Sequence, residues 1–234
     1  MNRSHYGVVG AGVLALALCS AACADDTIEG LKERCHTYRQ MTGRFAPIYE
    51  PLAQQMVDDY SLKDGVALEI GGGIGTFAIA LARKTNMTVY ALDIDPLACR
   101  LCGYFADEAG MTGRVIPIEG DAQRMPLRDN LVDFIFSRGC IPFVPDQVAF
   151  LRECRRVLRR GGVGYVGHGG FGRLLDPDTR AELVKWRLSS FETSKPESWN
   201  GPGDRFPELA AEAHLKHYRL IKEPDVGWWL EFRK

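Results

Sequence analysis

Short apolar runs alternate along most of the chain with longer segments in which apolar residues recur every three to four positions. A short apolar run between turn residues is typical of a buried strand, and the longer period is typical of an amphipathic helix. The strands are predicted at residues 66–70, 88–92, 115–119, 131–136 and 163–167, and the intervening helices at 76–83, 96–109 and 147–158. This alternation predicts an α/β fold with a doubly wound, mostly parallel sheet.

The C-terminal part of the chain breaks the alternation. Two strand-like segments, at residues 217–223 and 226–233, are separated only by the turn residues Pro224 and Asp225. Two strands joined by so short a connection pair in antiparallel fashion. We therefore predict a seven-stranded sheet that is mostly parallel and ends in an antiparallel C-terminal hairpin.

Two further segments set the predicted domain organisation. Residues 25–65 have a helical period broken near Pro51, which predicts an N-terminal helical cap in front of a domain at 66–234. Residues 168–205 are rich in glycine, proline, serine and charge around a helical stretch near 178–190. Since this insertion follows the fifth predicted strand, we expect it to form a lid over a binding site.

The N-terminus has a different character. Residues 6–24 contain no charged residue, a basic residue precedes them and two aspartates follow. A basic start, an apolar middle and small residues at the end predict that residues 1–24 are a signal peptide or membrane anchor, which implies a periplasmic or membrane-associated protein. Cys23 offers a weaker lipidation signal, and residues 10–15 form a GxGxxA pattern without the following strand that a dinucleotide site requires. A start further downstream, for example at Met41, would leave the protein in the cytoplasm.

Composition and charge exclude several classes of protein. The chain has 234 residues, of which 46% are hydrophobic and 25% charged, and its formal net charge is −1. No nucleic-acid partner is expected from so balanced a charge. The seven cysteines include one CxxC, Cys99 and Cys102, without a second such pair. No metal site is predicted, and the pair is interpreted as packing residues of one helix.

The main chemical signal is the segment 69–75, which runs Glu-Ile-Gly-Gly-Gly-Ile-Gly between a predicted strand and a predicted helix. Glycines allow tight turns and close approach of a ligand to the backbone, and the following helix N-terminus offers unpaired N–H groups. Asp93 ends the next predicted strand, at the distance where an acid binds ribose hydroxyls in nucleotide-binding folds. The residues therefore predict a site for a nucleoside-containing ligand.

Residues 69–75 resemble the (D/E)-x-G-x-G-x-G loop of the class I S-adenosyl-L-methionine (SAM)-dependent methyltransferases. The resemblance continues through four further motifs in the family's order, at residues 91–95, 119–126, 129–137 and 153–162. The resemblance covers roughly residues 45–170. Within the family, this region is similar to the type 11 and type 25 methyltransferase domains. The resemblance implies a Rossmann-like fold and SAM as the cofactor.

Roles for the glycine-rich loop follow from the resemblance. Gly71, Gly73 and Gly75 would pass under the methionine part of SAM, and Glu69 would orient the loop. Asp93 would accept hydrogen bonds from the ribose hydroxyls.

The resemblance also implies roles for residues outside the loop. Ile94 would pack on adenine, Asp121 would bind the adenine amino group, and the backbone of Ala122 would donate to the ring. Ser137 would lie near the methionine or the transferred methyl group, and Tyr49 would cover SAM from the cap. Read alone, Asp121 could instead simply close a turn.

The acceptor is less well defined. The segment 137–142 lacks the (N/D/S)-P-P-(Y/F) signature of nitrogen-methylating DNA and protein enzymes of this fold, which favours a small-molecule acceptor. His168 is a candidate base or acceptor-site donor, with a solvated loop histidine as the simpler interpretation. Cys140 is a candidate contact for a soft acceptor such as a thiol or metalloid, and otherwise a small buried residue.

Two other functions remain open at the level of sequence. The first is a non-catalytic SAM-binding module, exported or membrane-anchored. The second is a nicotinamide enzyme, because residues 73–78 satisfy GxGxxA. The glycine pair lies two residues late for that motif, and the antiparallel ending favours the methyltransferase.

Overall fold

A computed structural model describes residues 27–194, 201, 203–223 and 227–234. Seven strands form one sheet with the order β3-β2-β1-β4-β5-β7-β6, in which β7 runs antiparallel to both β5 and β6 and the remaining pairs are parallel. This confirms the predicted fold class. The strands are β1 (Val66–Ile70), β2 (Thr88–Asp93), β3 (Val115–Glu119), β4 (Val132–Arg138), β5 (Leu158–His168), β6 (His217–Glu223) and β7 (Gly227–Arg233).

Helices cover both faces of the sheet. They are α1 (Ile28–Arg34), α2 (His36–Thr42), α3 (Ala46–Tyr60), α4 (Thr76–Lys84), α5 (Pro96–Glu108), α6 (Gln147–Val157), α7 (Pro177–Ser194) and α8 (Phe206–Glu212), with short 3₁₀ turns at Ile141–Phe143 and Gly203–Arg205. The cap helices, α4, α5 and α7 bury their apolar side chains on one face. Helices α6 and α8 cover the other face.

The strands alternate between these two cores. In β1, Leu68 and Ile70 face the α6 side, whereas Ala67 faces the side of the cap, as the two-residue period of a strand requires. On the cap side, Phe77 and Phe136 stack with their ring centroids 3.7 Å apart. Because both faces are covered, the strands need apolar residues on both sides, which explains why they are continuous apolar runs.

The structure extends three predicted elements. Strand β4 continues to Arg138, β5 runs from Leu158 to His168, and α7 reaches Ser194. The added residues of β5 pair with β4 at Leu158 and with β7 at His168. These backbone ladders form between distant segments, so their ends do not appear in the local apolar pattern.

Several predictions lie outside the described residues. These include the apolar segment 6–24 and the predicted turn residues Pro224 and Asp225. Among the helices that are described, none combines the length and the apolar character needed to span a membrane.

Candidate functional site

The glycine-rich loop leaves the carboxyl end of β1, at the edge of the sheet where the parallel strands β3, β2, β4 and β5 also end. Gly71, Gly73 and Gly75 have φ angles of 70°, 53° and 79°. This left-handed region is strained for residues with a side chain. The alternate glycines are therefore required by the path of the backbone itself.

Close packing adds a second requirement for glycine. A Cβ at Gly73 would lie 2.5 Å from both the Met41 sulfur and a Thr37 methyl carbon of α2. A Cβ at Gly71 would lie 2.5 Å from the Cβ of Cys140. The cap therefore lies directly on the loop from above, and the segment after β4 lies against its first glycine.

Glu69 orients the loop through helix α4. The side chain is buried, and its Oε2 accepts a hydrogen bond from the N–H of Ala78 at 3.0 Å. The N-cap of α4 is Gly75, which has no side chain to cap the helix. Glu69 supplies that missing acceptor from the preceding strand. Burial raises the pKa of Glu69 well above its usual value, and the nearby charge of Asp93 adds to the increase.

Asp93 ends β2 beside the loop. Its Oδ2 accepts from the N–H of Gly73 at 2.8 Å, and its Oδ1 accepts from the N–H of Asp95 at 3.0 Å. An ionised carboxylate has about four acceptor positions, so two remain for the hydroxyls of a ribose. Burial raises the pKa of Asp93. The adjacent Ile94 side chain is 70% exposed, which leaves an apolar surface available to a flat base.

The other predicted cofactor contacts differ in accessibility. Asp121 is exposed, and its Oδ1 accepts from the Gln123 N–H at 2.8 Å, so it closes the turn after β3. Ala122 is buried behind it. Ser137 is fully buried and its hydroxyl donates to the Ile70 carbonyl at 2.9 Å, which ties β4 to β1. Its side chain thus holds the strands together below the open edge.

Tyr49 lies on α3, buried between the cap and the sheet. The guanidinium carbon of Arg138, the last residue of β4, is 5.9 Å from the centroid of its ring. Burial raises the pKa of the Tyr49 hydroxyl, which the positive charge of Arg138 partly offsets. The phenol therefore remains neutral at physiological pH.

The two catalytic candidates, Cys140 and His168, have distinct environments. Cys140 is half-buried, with its side chain against Gly71, and burial raises the pKa of its thiol to about 12. Since the thiolate is the reactive form, this environment suits packing or a neutral contact better than nucleophilic chemistry. His168 is only 8% exposed, so the interpretation as a solvated loop histidine is wrong. His168 is the last residue of β5 and pairs with Trp228 of β7. Its ring lies 6.4 Å from that of Phe206.

The remaining cysteines of the described chain pack in the interior. Cys99 and Cys102 are buried on α5, and Cys102 fills the space beside Gly75. Within the described ranges there is no group of three or more histidine, cysteine or acidic side chains arranged to hold a metal ion.

A polar cluster centred on Glu223 was not predicted from the sequence. Its carboxylate accepts from the backbone N–H groups of Phe171 and Gly172 at 3.1 and 3.0 Å, and from the Trp229 indole at 2.6 Å. Arg180 of α7 forms an ion pair with it at 3.2 Å. The cluster fixes the loop after β5 and anchors α7. No local motif indicates it, because β6, β7 and α7 meet only in the folded chain.

Comparison with known proteins finds a matching family model and a similar solved structure. Residues 68–166 match the family model described as a methyltransferase domain. A candidate SAM-dependent methyltransferase of Methanococcus maripaludis has a similar structure, with a TM-score of 0.73 and 27% sequence identity, over 88% of this chain and 92% of that one.

Curated relatives match a part of the chain. Ajmaline N-methyltransferase of Rauvolfia serpentina is 31% identical over 104 residues, which are 44% of this chain and 36% of that protein. Ribosomal protein L11 methyltransferase of Pelotomaculum thermopropionicum is 36% identical over 116 residues, 48% of this chain and 35% of that protein. The matched region thus spans about a third of each relative. The glycine loop, the remaining acceptor positions of Asp93 and the exposed Ile94 all fit SAM, and residues 68–166 belong to the methyltransferase domain that the family model describes.

Proposed function

We propose that this protein transfers a methyl group from SAM to a small-molecule acceptor. The observation that carries the proposal is the arrangement along the sheet edge, where Asp93 ends β2 and Ile94 follows it, beside the positive-φ glycines that follow β1. A nucleoside bound at β2 would extend its methionine part over the loop toward β4. The methyl group would then face the ends of β4 and β5.

Each part of the chain has a defined task in this reaction. SAM supplies an electrophilic methyl group on a sulfonium ion. Asp93 would hold the ribose, the loop glycines would permit contact with the backbone, and Glu69 keeps the loop attached to α4. Thr37 and Met41 of the cap lie against Gly73 and would shield this part of the loop from water. The protein's main contribution is proximity and orientation for an in-line displacement.

The surroundings of the acceptor region support a small acceptor. Aromatic rings from the cap, from the loop after β5 and from α7 gather above the end of β4. Phe45 packs edge-on against Trp186 of α7, with ring centroids 5.5 Å apart, so the cap and α7 are joined over this region. A site bordered by packed aromatic rings would suit a small ligand better than a protein segment. The ajmaline enzyme acts on a small alkaloid and the L11 enzyme on a protein.

Calorimetry with SAM and S-adenosylhomocysteine on the purified full chain tests cofactor binding. We expect both ligands to bind, and NAD not to compete. Incubation with SAM labelled on the methyl group and a panel of small acceptors, read by mass spectrometry, then tests transfer. A folded protein that binds no SAM at millimolar concentration would exclude the proposal. Retention of SAM without transfer to any acceptor would favour the non-catalytic binding module.

The raised pKa of Glu69 predicts that SAM binding releases protons. The positive charges of SAM over the loop would favour the ionised carboxylate of Glu69. Binding should therefore release protons at pH values between the usual glutamate pKa of about 4.3 and the raised pKa. The observed binding enthalpy should then depend on the ionisation enthalpy of the buffer. Glu69→Gln should reduce this dependence, with the remainder arising from Asp93, whose pKa is also raised.

The raised pKa of Glu69 also makes the stability of the unliganded protein depend on pH. Because the folded state holds the Glu69 proton more tightly than the unfolded state, its contribution to stability is complete at low pH and is lost as pH rises through the folded pKa. Thermal unfolding should show Glu69→Gln losing less stability than the wild type over that rise. Equal pH profiles for the two proteins would contradict this assignment.

We infer that residues 6–24 act as a signal peptide or membrane anchor. Their uncharged composition between a basic residue and two aspartates supports this. A start at Met41 would remove α1 and most of α2, including the fully buried Cys35 and the Thr37 contact with the loop. Fractionation of the tagged full chain should place it in the periplasm or membrane, and deletion of residues 2–24 should move it to the cytoplasm. A full chain found only in the cytoplasm would oppose this inference.

A further inference from the structure

Arg138 ends β4 inside an aromatic enclosure. Its guanidinium carbon lies 5.1 Å from the ring centroid of Phe45, 5.9 Å from that of Tyr49 and 5.8 Å from that of Phe171. Its Nε donates to the carbonyl of Gly170 at 2.8 Å. The three rings come from the cap and from the loop after β5, so the guanidinium lies where these two parts of the protein meet.

The Arg138 guanidinium has no counter-charge among the described residues, in contrast to three other arginines. Arg156, Arg180 and Arg219 form ion pairs at 2.7, 3.2 and 2.6 Å with Asp129, Glu223 and Glu231 respectively. In the part of the chain that the structure describes, no carboxylate lies within ion-pair distance of Arg138. The rings partly compensate the charge through cation–π contacts, which are weaker than a desolvated ion pair.

The position of Arg138 relates it to the acceptor more than to the cofactor. Since Glu69 pairs with Phe136 in the parallel ladder, Arg138 leaves β4 level with Gly71. The hydrogen bond to Gly170 draws its guanidinium toward β5 and away from β1 and β2, and Tyr49 is the one predicted cofactor contact whose ring lies beside it among the described residues. Beside it, a Cβ added at Gly139 would meet no atom within 4 Å, so there is open space next to the enclosure.

We propose that Arg138 binds a carboxylate of the methyl acceptor, and that the acceptor is a small molecule with an apolar body and this one anionic group. The proposal rests on the proposed function. Nε is held by Gly170, and the Tyr49 hydroxyl accepts a hydrogen bond from the guanidinium. The remaining N–H groups of the two terminal nitrogens are the part that can form a bidentate pair with a carboxylate. The rings of Phe45, Tyr49 and Phe171 provide apolar contact for the body of the ligand.

The test uses the full chain saturated with S-adenosylhomocysteine, into which phenylacetate or its neutral analogue phenylacetamide is titrated. We expect phenylacetate to bind at least about fivefold more tightly than phenylacetamide. Arg138→Met should abolish this preference, and Arg138→Lys should retain part of it as a point charge. Arg128→Met is the matched control, because it removes the same charge from an exposed position and should leave the preference unchanged.

Cofactor binding is measured first for each variant, with SAM and with decarboxylated SAM. We expect Arg138→Met to change neither affinity by more than about threefold. A selective loss of SAM affinity would show that Arg138 binds the cofactor's own carboxylate, and would overturn the proposal. So would equal binding of acid and amide by the wild type, or no binding of either. Failure of the wild type to bind any cofactor would instead refute the proposed function.

Discussion

Replacing Asp93 by alanine is expected to weaken SAM binding about 100-fold. The carboxylate has two acceptor positions left for the ribose hydroxyls after its bonds to Gly73 and Asp95. A hydrogen bond to a charged group contributes about 1.5–3 kcal/mol, so losing both should cost about 3 kcal/mol. The substitution also removes the acceptor for the Gly73 N–H, which helps to hold the loop in its ligand-ready path. Calorimetric titration with SAM measures the change.

Two comparisons make the Asp93 result specific. Asp93→Asn keeps one acceptor and the shape but loses the charge, so its affinity should lie between those of the wild type and the alanine variant. Asp64→Ala removes an exposed carboxylate in the turn before β1, at the opposite end of the sheet, and should bind SAM as the wild type does. If Asp93→Ala bound SAM normally while remaining folded, the cofactor would have to bind elsewhere.

Replacing Glu223 by glutamine is expected to lower the free energy of unfolding by about 3 kcal/mol. Breaking a buried ion pair costs about 3–5 kcal/mol, and the pair with Arg180 is largely but not fully enclosed. Glutamine has one acceptor oxygen in place of two, and its amide would place N–H groups against the donors of Phe171, Gly172 and Trp229. The melting temperature should fall by roughly 6–12 °C for a chain of this size.

The effect of Glu223→Gln should extend to the acceptor region. The loop after β5 carries Gly170 and Phe171, which position the Arg138 guanidinium.

Denaturant unfolding of Glu212→Gln provides the control for the stability prediction. That side chain is exposed at the end of α8, so its neutralisation should change the free energy of unfolding by less than about 0.5 kcal/mol. Equal stabilities for the two variants would mean that the Glu223 cluster does not anchor the loop.

The parts of the fold that follow from local pattern were predictable. Strand β1 begins and ends at the predicted residues, because a short apolar run before glycines can satisfy its backbone and bury both faces only as an interior strand. The glycine-rich loop was equally predictable from the sequence. Its alternate glycines reflect backbone angles that are a property of those residues alone.

The features that the sequence did not predict depend on contacts between distant segments of the chain. Nothing near Gly73 in the sequence indicates that Thr37 and Met41 lie over it, since that contact comes from how the cap packs. His168 follows an apolar run and precedes two glycines, a pattern typical of a loop, yet β7 extends the ladder through it and buries the ring. Arg138 carried one available signal, an arginine at the carboxyl end of a buried parallel strand.

The sequence by itself determined the α/β architecture, the family and the cofactor loop, because these depend on hydrophobic period and on glycine positions within a few residues of one another. Only the tertiary structure decided which side chains meet above β4 and β5. The Arg138 enclosure joins the cap, β4 and the segment after β5, and the Glu223 cluster joins that segment to α7 and the hairpin. The physical reason is that these two clusters depend on long-range packing and charge compensation, which no single segment of the chain encodes.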